Sequence, residues 1–358
     1  MRARVSFPMA AAVGLFFVRP ATAADANRPP TPALFPAAAC MVTVDRSVDP
    51  VFHVAYDVPF DDTDRGPDEV ADGRTLQFFA FRRQFRAPPP NWITWDDVAR
   101  AMAAPATDPF EATDDDVLET AGAWADGAWV RITPDDARLP ITKAQAAMGV
   151  SWDTSSVEAG TYVIAAYTFD PVLNLWSPRP GVVRVLDGPP GPDAPPALAL
   201  VEASPGGVVP AGSEVTVTGC VAAADGSIVT VETAFLAGAE GLDWQAQAPV
   251  PAGGPGDAAF SFVVPEPPGS AGQIVVRATV EDPMGRRYTA YLPGALDVTA
   301  SAADTTGGTT GGAGGAGGGS GCACHAGGAG GRGAGGWGLG GFLAWARRRK
   351  RVRVGRAC

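Results

Sequence analysis

The sequence predicts a mainly β protein built from two β-sandwich-like domains, the first of which also carries one or two short helices. Runs of alternating apolar residues recur through residues 40–300, as expected of half-buried strands. Turn-forming pairs such as Asp225-Gly226 and Asp282-Pro283 separate these runs. A length of 358 residues suits two ordinary domains with flanking segments.

Charge is segregated along the chain. No Asp or Glu occurs before residue 25 or after residue 304, and of the 27 basic residues three precede and eight follow that stretch. The body therefore holds all 38 acids against 16 bases, a formal charge of −22. A body this acidic repels nucleic acid and anionic membrane surfaces, so we expect no nucleic-acid partner.

Residues 1–23 have the pattern of a secretory signal. Arg2 and Arg4 precede a mostly apolar run from Val5 to Val18, which is too short for a membrane span of about 20 residues. Ala21 and Ala23 then offer the small side chains that signal peptidase accepts. We therefore expect export, with a Pro- and Ala-rich lead-in at 24–39.

The first domain is assigned to residues 40–187. Its strand-like segments are 41–44, 51–58, 76–81, 129–132, 161–169 and 182–186. Thr94 stands as an N-cap before Asp96 and Asp97, which predicts a short helix over 94–102, and residues 113–120 are a second candidate.

Aromatic side chains are concentrated in this first domain, where they could form either a core or an exposed carbohydrate-binding platform. Large aromatic rings usually supply burial energy, so we expect a core. The rings in question are Phe78, Phe79, Phe81, Trp92, Trp95, Trp124, Trp129, Trp152, Tyr162 and Trp176.

A Pro- and Gly-rich linker at 188–196 separates the first domain from a second at 197–300. Seven short strand-like segments follow in that second block, at 198–201, 214–221, 228–232, 259–264, 273–280, 288–291 and 296–298. This pattern resembles bacterial immunoglobulin-like surface modules, although the Cys…Trp…Cys framework of antibody domains is missing. The resemblance implies an Ig-like sandwich.

Few residues in the body suggest chemistry. His53 is expected to lie exposed on a strand, opposite the face of Phe52 and Val54. Asp62, Asp64 and Asp68 approximate a calcium-binding loop, but Arg65 places a positive charge inside it, so we expect a solvated acidic turn with Ca²⁺ as the alternative. No other cofactor is expected.

Two of the five cysteines lie in the body of the chain, and the other three lie in its C-terminal tail. Cys40 and Cys220 lie in different predicted domains. Export would permit a bridge between them, but nothing in the sequence supports one, and buried free thiols are the default expectation.

The C-terminal end has a different composition from the body. A Gly- and Thr-rich tether covers 301–321, and the remaining tail at 322–358 begins with Cys322 and Cys324. An apolar stretch at 326–346 predicts a transmembrane helix of ~31 Å, at 1.5 Å per residue. A basic cluster follows, consisting of Arg347, Arg348, Arg349, Lys350 and Arg351, which would stay on the cytoplasmic side of the membrane.

This tail resembles the MYXO-CTERM sorting signals of myxobacterial surface proteins. The resemblance covers about the last forty residues, and Gly321-Cys322-Ala323-Cys324 with the basic cluster carries it. It implies cleavage by a sorting membrane protease near the two cysteines, lipid attachment there, and transfer to the cell surface. The Gly-rich, Leu-poor helix departs from the usual pattern.

Taken together, these features predict an exported protein anchored at the cell surface through its tail. We expect a structural or adhesion-like binding role, with no assignable chemistry and no identifiable ligand. The alternative is a secreted surface hydrolase that uses a pair of carboxylates in the first domain.

Overall fold

The computed structural model describes residues 31–63, 74–82, 89–103, 110–170, 174–236 and 242–301. These residues fall within one compact unit. As the alternating patterns predict, they form a mainly β protein with two sandwiches in sequence.

Nine strands and two α-helices of the described residues build the first sandwich. The strands are β1 (Met41–Asp45), β2 (Val51–Val54), β3 (Thr75–Phe81), β4 (Trp129–Arg131), β5 (Leu139–Pro140), β6 (Val150–Asp153), β7 (Gly160–Phe169), β8 (Leu175–Pro178) and β9 (Val182–Leu186). The helices are α1 (Trp95–Ala103) and α2 (Lys143–Met148), with 3₁₀ turns at Asp114–Asp116, Gly122–Trp124 and Asp135–Ala137.

The larger sheet of this domain has the order β1-β9-β7-β3-β4, in which β1 runs parallel to β9 and the other pairs are antiparallel. β5 also pairs with β3, and β8 with β7. β2 and β6 form a small second sheet. Inward side chains of both sheets, including Val54, Phe78 and Ile164, make the core between them.

The outer face of the larger sheet is covered by the long connection between β3 and β4. Phe79, Phe81 and Tyr167 point to that face, where they pack against Trp92, Ile93, Val98 and Leu118 of the connection. The expected aromatic core is therefore confirmed for most of the rings. Trp95 is the clear exception, at 42% exposed.

The predicted helix at 94–102 is confirmed as α1. Two hydrogen bonds between Thr94 and Asp97 cap its N-terminus. The Asp97 backbone N–H donates to Thr94 Oγ1 (3.1 Å), and the Thr94 N–H donates back to Asp97 Oδ2 (3.3 Å). The second candidate, 113–120, forms only a 3₁₀ turn at Asp114–Asp116, because Val117 pairs with Trp92 in an isolated parallel bridge.

The second sandwich begins directly after the linker. Its strands are β10 (Ala197–Ser204), β11 (Val208–Pro210), β12 (Glu214–Ala222), β13 (Ile228–Phe235), β14 (Gln245–Ala246), β15 (Val250–Pro251), β16 (Gly256–Val263), β17 (Ala271–Glu281), β18 (Arg287–Tyr291) and β19 (Leu296–Thr299). All seven predicted strands are present. The three that the sequence did not indicate, β11, β14 and β15, have two or three residues each.

Two sheets enclose the core of this domain. One has the order β10-β12-β16, and the other has the order β11-β19-β17-β13-β14, with β15 on β13 and β18 on β17. Val215, Phe260, Ile274 and Val276 are among the buried side chains between them. Three strands packed on four or more, in this order, form an immunoglobulin-like sandwich.

The two domains repeat one topology. In each, an early strand of the larger sheet runs parallel to the last one (β1 on β9, β11 on β19), and the last strand pairs antiparallel with the long strand β7 or β17. The last strand pairs with the first half of that long strand, and β8 or β18 pairs with its second half along the same edge. The larger sheets of the two domains therefore share one strand arrangement, which the mixed sequence pattern of the first domain did not indicate.

Candidate functional site

Most of the residues predicted for targeting lie outside the described part of the chain. This holds for Ala21 and Ala23, for Cys322 and Cys324, and for the basic cluster at 347–351. Their roles stay predictions. Among the described residues, no helix is long and apolar enough to cross a membrane.

Asp62 is 2% exposed, so the expectation of a solvated acidic turn is wrong at this residue. Its Oδ2 accepts hydrogen bonds from Thr31 Oγ1 (2.6 Å) and Arg74 Nη1 (3.1 Å). Arg74 Nε also lies 3.1 Å from Oδ1 of Asp170, so one buried guanidinium joins two buried carboxylates. The other two residues of the predicted calcium loop, Asp64 and Asp68, lie outside the described residues.

A second buried network surrounds Arg138. Its Nη2 lies 2.7 Å from Oδ1 of Asp97 and 2.7 Å from Oδ1 of Asp135, which also accepts from Gln77 Nε2 at 3.0 Å. Burial raises the pKa of the Asp97 carboxyl, because loss of hydration outweighs the attraction of Arg138. Burial acts the same way on Asp135, but the hydrogen bonds and charge of Arg138 lower its pKa on balance.

These two networks bear on the hydrolase alternative. A carboxylate pair that cleaves glycosides needs two acids facing a substrate from opposite sides. Here an arginine stands between the members of each pair, and Asp62, Asp97 and Asp170 are buried inside the domain. Their arrangement is that of buried ion pairs within the domain.

His53 is exposed on β2, on the face opposite Val54, as expected. Its ring lies directly over Gly149, where a Cβ would come within 2.5 Å of the imidazole. No group of three or more potential metal ligands occurs in the described residues.

Cys40 and Cys220 form a disulfide bond, so the expectation of free thiols is wrong. Their Cα atoms are 6.0 Å apart, although 180 residues separate them in the chain. Both lie in an apolar cluster at the junction of the two sandwiches, together with Val163, Val182 and Ala199. Cys220 lies on the outer face of β12, since its neighbour Val221 points into the core of the second domain.

Two arginines, one from each domain, hold the end of the linker. Arg184 of β9 is 4% exposed and donates from Nε to the Pro195 carbonyl at 3.0 Å. Arg286 donates to the carbonyls of Asp193 (2.6 Å) and Ala194 (3.1 Å). Burial lowers the pKa of Arg184, and the nearby Arg286 adds to that effect. With the disulfide, these contacts tie both domains to the linker.

The outer sheet face of the second domain is less covered than that of the first, since alternate residues of β17 are half-buried whereas all residues of β7 after Gly160 are buried. Arg277 of β17 pairs with Glu232 of β13 through Nε (2.6 Å) and Nη2 (2.9 Å). Its guanidinium carbon lies 4.1 Å from the centre of the Trp244 ring, which also contacts Tyr291. Because these charges pair with each other, the cluster stabilises the face without leaving a free charged group for a ligand.

The exposed edge of β16 is the other notable surface. Within the described residues this strand pairs only with β12, so its second edge is not hydrogen-bonded to another strand. A groove of about 290 Å³ runs beside it, between β16 and the chain around β15. The sequence analysis did not identify this site, because an alternating strand pattern carries no information about which strands lack a neighbour.

No known family model matches the chain, and no curated protein does. Among solved structures, similar chains include the N-terminal four Ig domains of Dscam1 isoforms 7.44 and 4.44, each at 10% identity over 76% of this chain. The TM-scores are 0.16 and 0.17, and the chain covers 46% and 47% of those structures, about half their length. We draw no conclusion about the fold from these similarities, and the Ig-like class rests on the strand order described above.

Proposed function

We propose that this protein is exported and held at the cell surface, where its two sandwich domains serve as a structural or binding module. The observation that carries the proposal is the Cys40–Cys220 bond. Disulfides form and persist in oxidising compartments and are rare in the cytosol. A bond that joins two domains therefore agrees with the secretory signal predicted at residues 1–23.

The anchor is proposed to be the C-terminal tail, by its resemblance to MYXO-CTERM sorting signals. In this proposal signal peptidase removes residues 1–23, and a membrane protease processes the chain near Cys322 and Cys324. The Gly-rich tether then holds the acidic body away from the membrane. In this proposal the two domains of the body carry out the function, and the tail only directs the protein to the cell surface.

Thiol labelling tests the export half of the proposal. Chain taken from the cell envelope should resist a thiol-reactive label at Cys40 and Cys220 under denaturing conditions until a reductant is added. N-terminal sequencing of the same material should begin near Ala24. Chain recovered chiefly from the cytosol, or with both thiols free, would refute it.

Changes confined to the tail test the anchoring half. Deletion of residues 326–358 should release a folded body into the medium, while Cys322→Ser/Cys324→Ser should leave unprocessed chain at the inner membrane. Arg356→Ala, which lies outside the basic cluster, serves as the matched control and should reach the surface normally. If the double Ser variant also reaches the surface at normal size and amount, the sorting proposal fails.

A further inference from the structure

The exposed edge of β16 lacks the features with which proteins usually protect edge strands. Such strands are normally short, bulged, or interrupted by proline or lysine. Among the described edges of this domain, β14 and β15 have two residues each, β11 ends in Pro210, and β10, which is as long as β16, is bulged between Leu200 and Glu202. β16 has eight residues in unbroken register with β12, and its single charged side chain is Asp257.

The backbone groups that face this edge follow from the pairing at its end. The Val264 N–H donates to the Ser213 carbonyl, and its own carbonyl accepts from the Gly212 N–H, both at 2.9 Å, so Val264 points its polar groups toward β12. Hydrogen-bonding direction alternates along an antiparallel strand. The N–H and C=O groups of Asp257, Ala259, Ser261 and Val263 therefore point outward, toward the open edge.

The groove lies where the inward side chains of an added strand would go. Its lining combines the apolar residues Val231, Val250, Ala252 and Phe260 with the polar residues Gln247, Asp257 and Ser261, and its surface is more polar than apolar. A volume of about 290 Å³ accommodates a few small or medium side chains but not a folded element. Unpaired backbone and an adjacent groove together are what strand addition requires, since main-chain bonds supply affinity and pockets supply selectivity.

We propose that β16 binds an extended peptide segment of another protein as an additional strand. The segment carries small apolar side chains at alternate positions, which enter the groove, and a basic residue beside Asp257. This deepens the binding role proposed above and rests on it. The occupant is a separate, basic segment and not a second copy of this chain, because two bodies of formal charge −22 repel each other.

Alternating N-methylation tests the predicted backbone pairing. The probes are synthetic eight-residue peptides with alternating Val and Thr and a Lys at one end, added to the full chain with its disulfide formed. Methylating the amides that face β16 should weaken binding at least tenfold, whereas methylating the alternate amides should change it less than threefold. Equal loss from both methylation patterns, or no binding of any probe at millimolar concentration, would overturn the proposal.

Variants of the protein locate the site. Ala259→Pro removes an outward N–H without touching the pairing to β12, so it should abolish probe binding, while the control Ala259→Val keeps that donor and should bind normally. Asp257→Lys should weaken binding of the Lys peptide and strengthen that of its Glu counterpart. Since the proline could unfold the edge, the charge exchange keeps the test decisive.

Hydrogen exchange separates strand addition from the other possible occupant. Probe binding should slow amide exchange at residues 257, 259, 261 and 263, while the chain stays monomeric in sedimentation. A dimer that protects the same four amides without any probe would mean that a second copy occupies the edge. These measurements on purified protein are independent of localisation, so their failure would leave the export proposal standing.

Discussion

Removing the interdomain disulfide should lower the free energy of unfolding by several kcal/mol. The bond closes a loop of 180 residues, and the loop-closure relation then gives roughly 5 kcal/mol of stabilisation at 25 °C. Both cysteines lie in an apolar cluster, so Cys40→Ala/Cys220→Ala removes the link without leaving a polar group buried there. With a urea m-value of about 2.5 kcal/mol/M, the unfolding midpoint should fall by roughly 2 M.

Urea unfolding followed by tryptophan fluorescence measures this change. The matched control is Cys322→Ser/Cys324→Ser, which removes two thiols from the tail and should leave the midpoint where it is. Adding a reductant to the wild type should reproduce the effect of the double Ala variant, and should not alter that variant further. If the double Ala variant and the tail variant have the same midpoint, the bond contributes no stability and the loop-closure reasoning is wrong.

Three further predictions concern the interior. Gly219→Ala should lower the free energy of unfolding by about 3 kcal/mol, because its Cβ would come within 1.9 Å of a backbone carbonyl oxygen. The control Gly122→Ala meets nothing within 4 Å and should leave the thermal unfolding midpoint close to that of the wild type. Tyr56→Phe should leave the free energy of unfolding unchanged or raise it by about 1 kcal/mol, because the buried hydroxyl that it removes has no hydrogen-bond partner among the described residues. Tyr162→Phe should lower it by ~1 kcal/mol, because the Tyr162 hydroxyl donates to the Glu158 carbonyl at 2.6 Å; equal effects of the two changes would contradict this. Burial raises the folded-state pKa of Asp97, so the wild type should lose stability relative to Asp97→Asn as the pH rises from about 4 through that pKa. Denaturation of both proteins at a series of pH values measures this difference in stability. A wild type that instead gains stability relative to the variant over that pH range would disprove the prediction.

Local patterns in the sequence were sufficient for most of the regular structure. The alternation in residues 273–280 predicts β17, and the Thr94 cap with its first-turn acids predicts α1, because strand periodicity and helix capping are interactions between near neighbours. The elements that escaped prediction, such as β5, β14 and β15, have two residues each and hence no measurable period. α2 escaped although Thr142 caps it, with Oγ1 accepting from the Gln145 N–H at 3.0 Å.

Contacts between distant parts of the chain were decided only by the tertiary structure. The acidic run at 61–69 suggests a solvated turn, yet Asp62 is buried because Thr31 and Arg74 reach it from other segments. The pairing of Cys40 with Cys220 depends on how two sandwiches dock, and no residue near either cysteine encodes that distance. The open edge of β16 is likewise a property of the whole sheet. Periodicity shows which side of a strand is buried, whereas neighbours across a sheet are chosen by packing of the entire core.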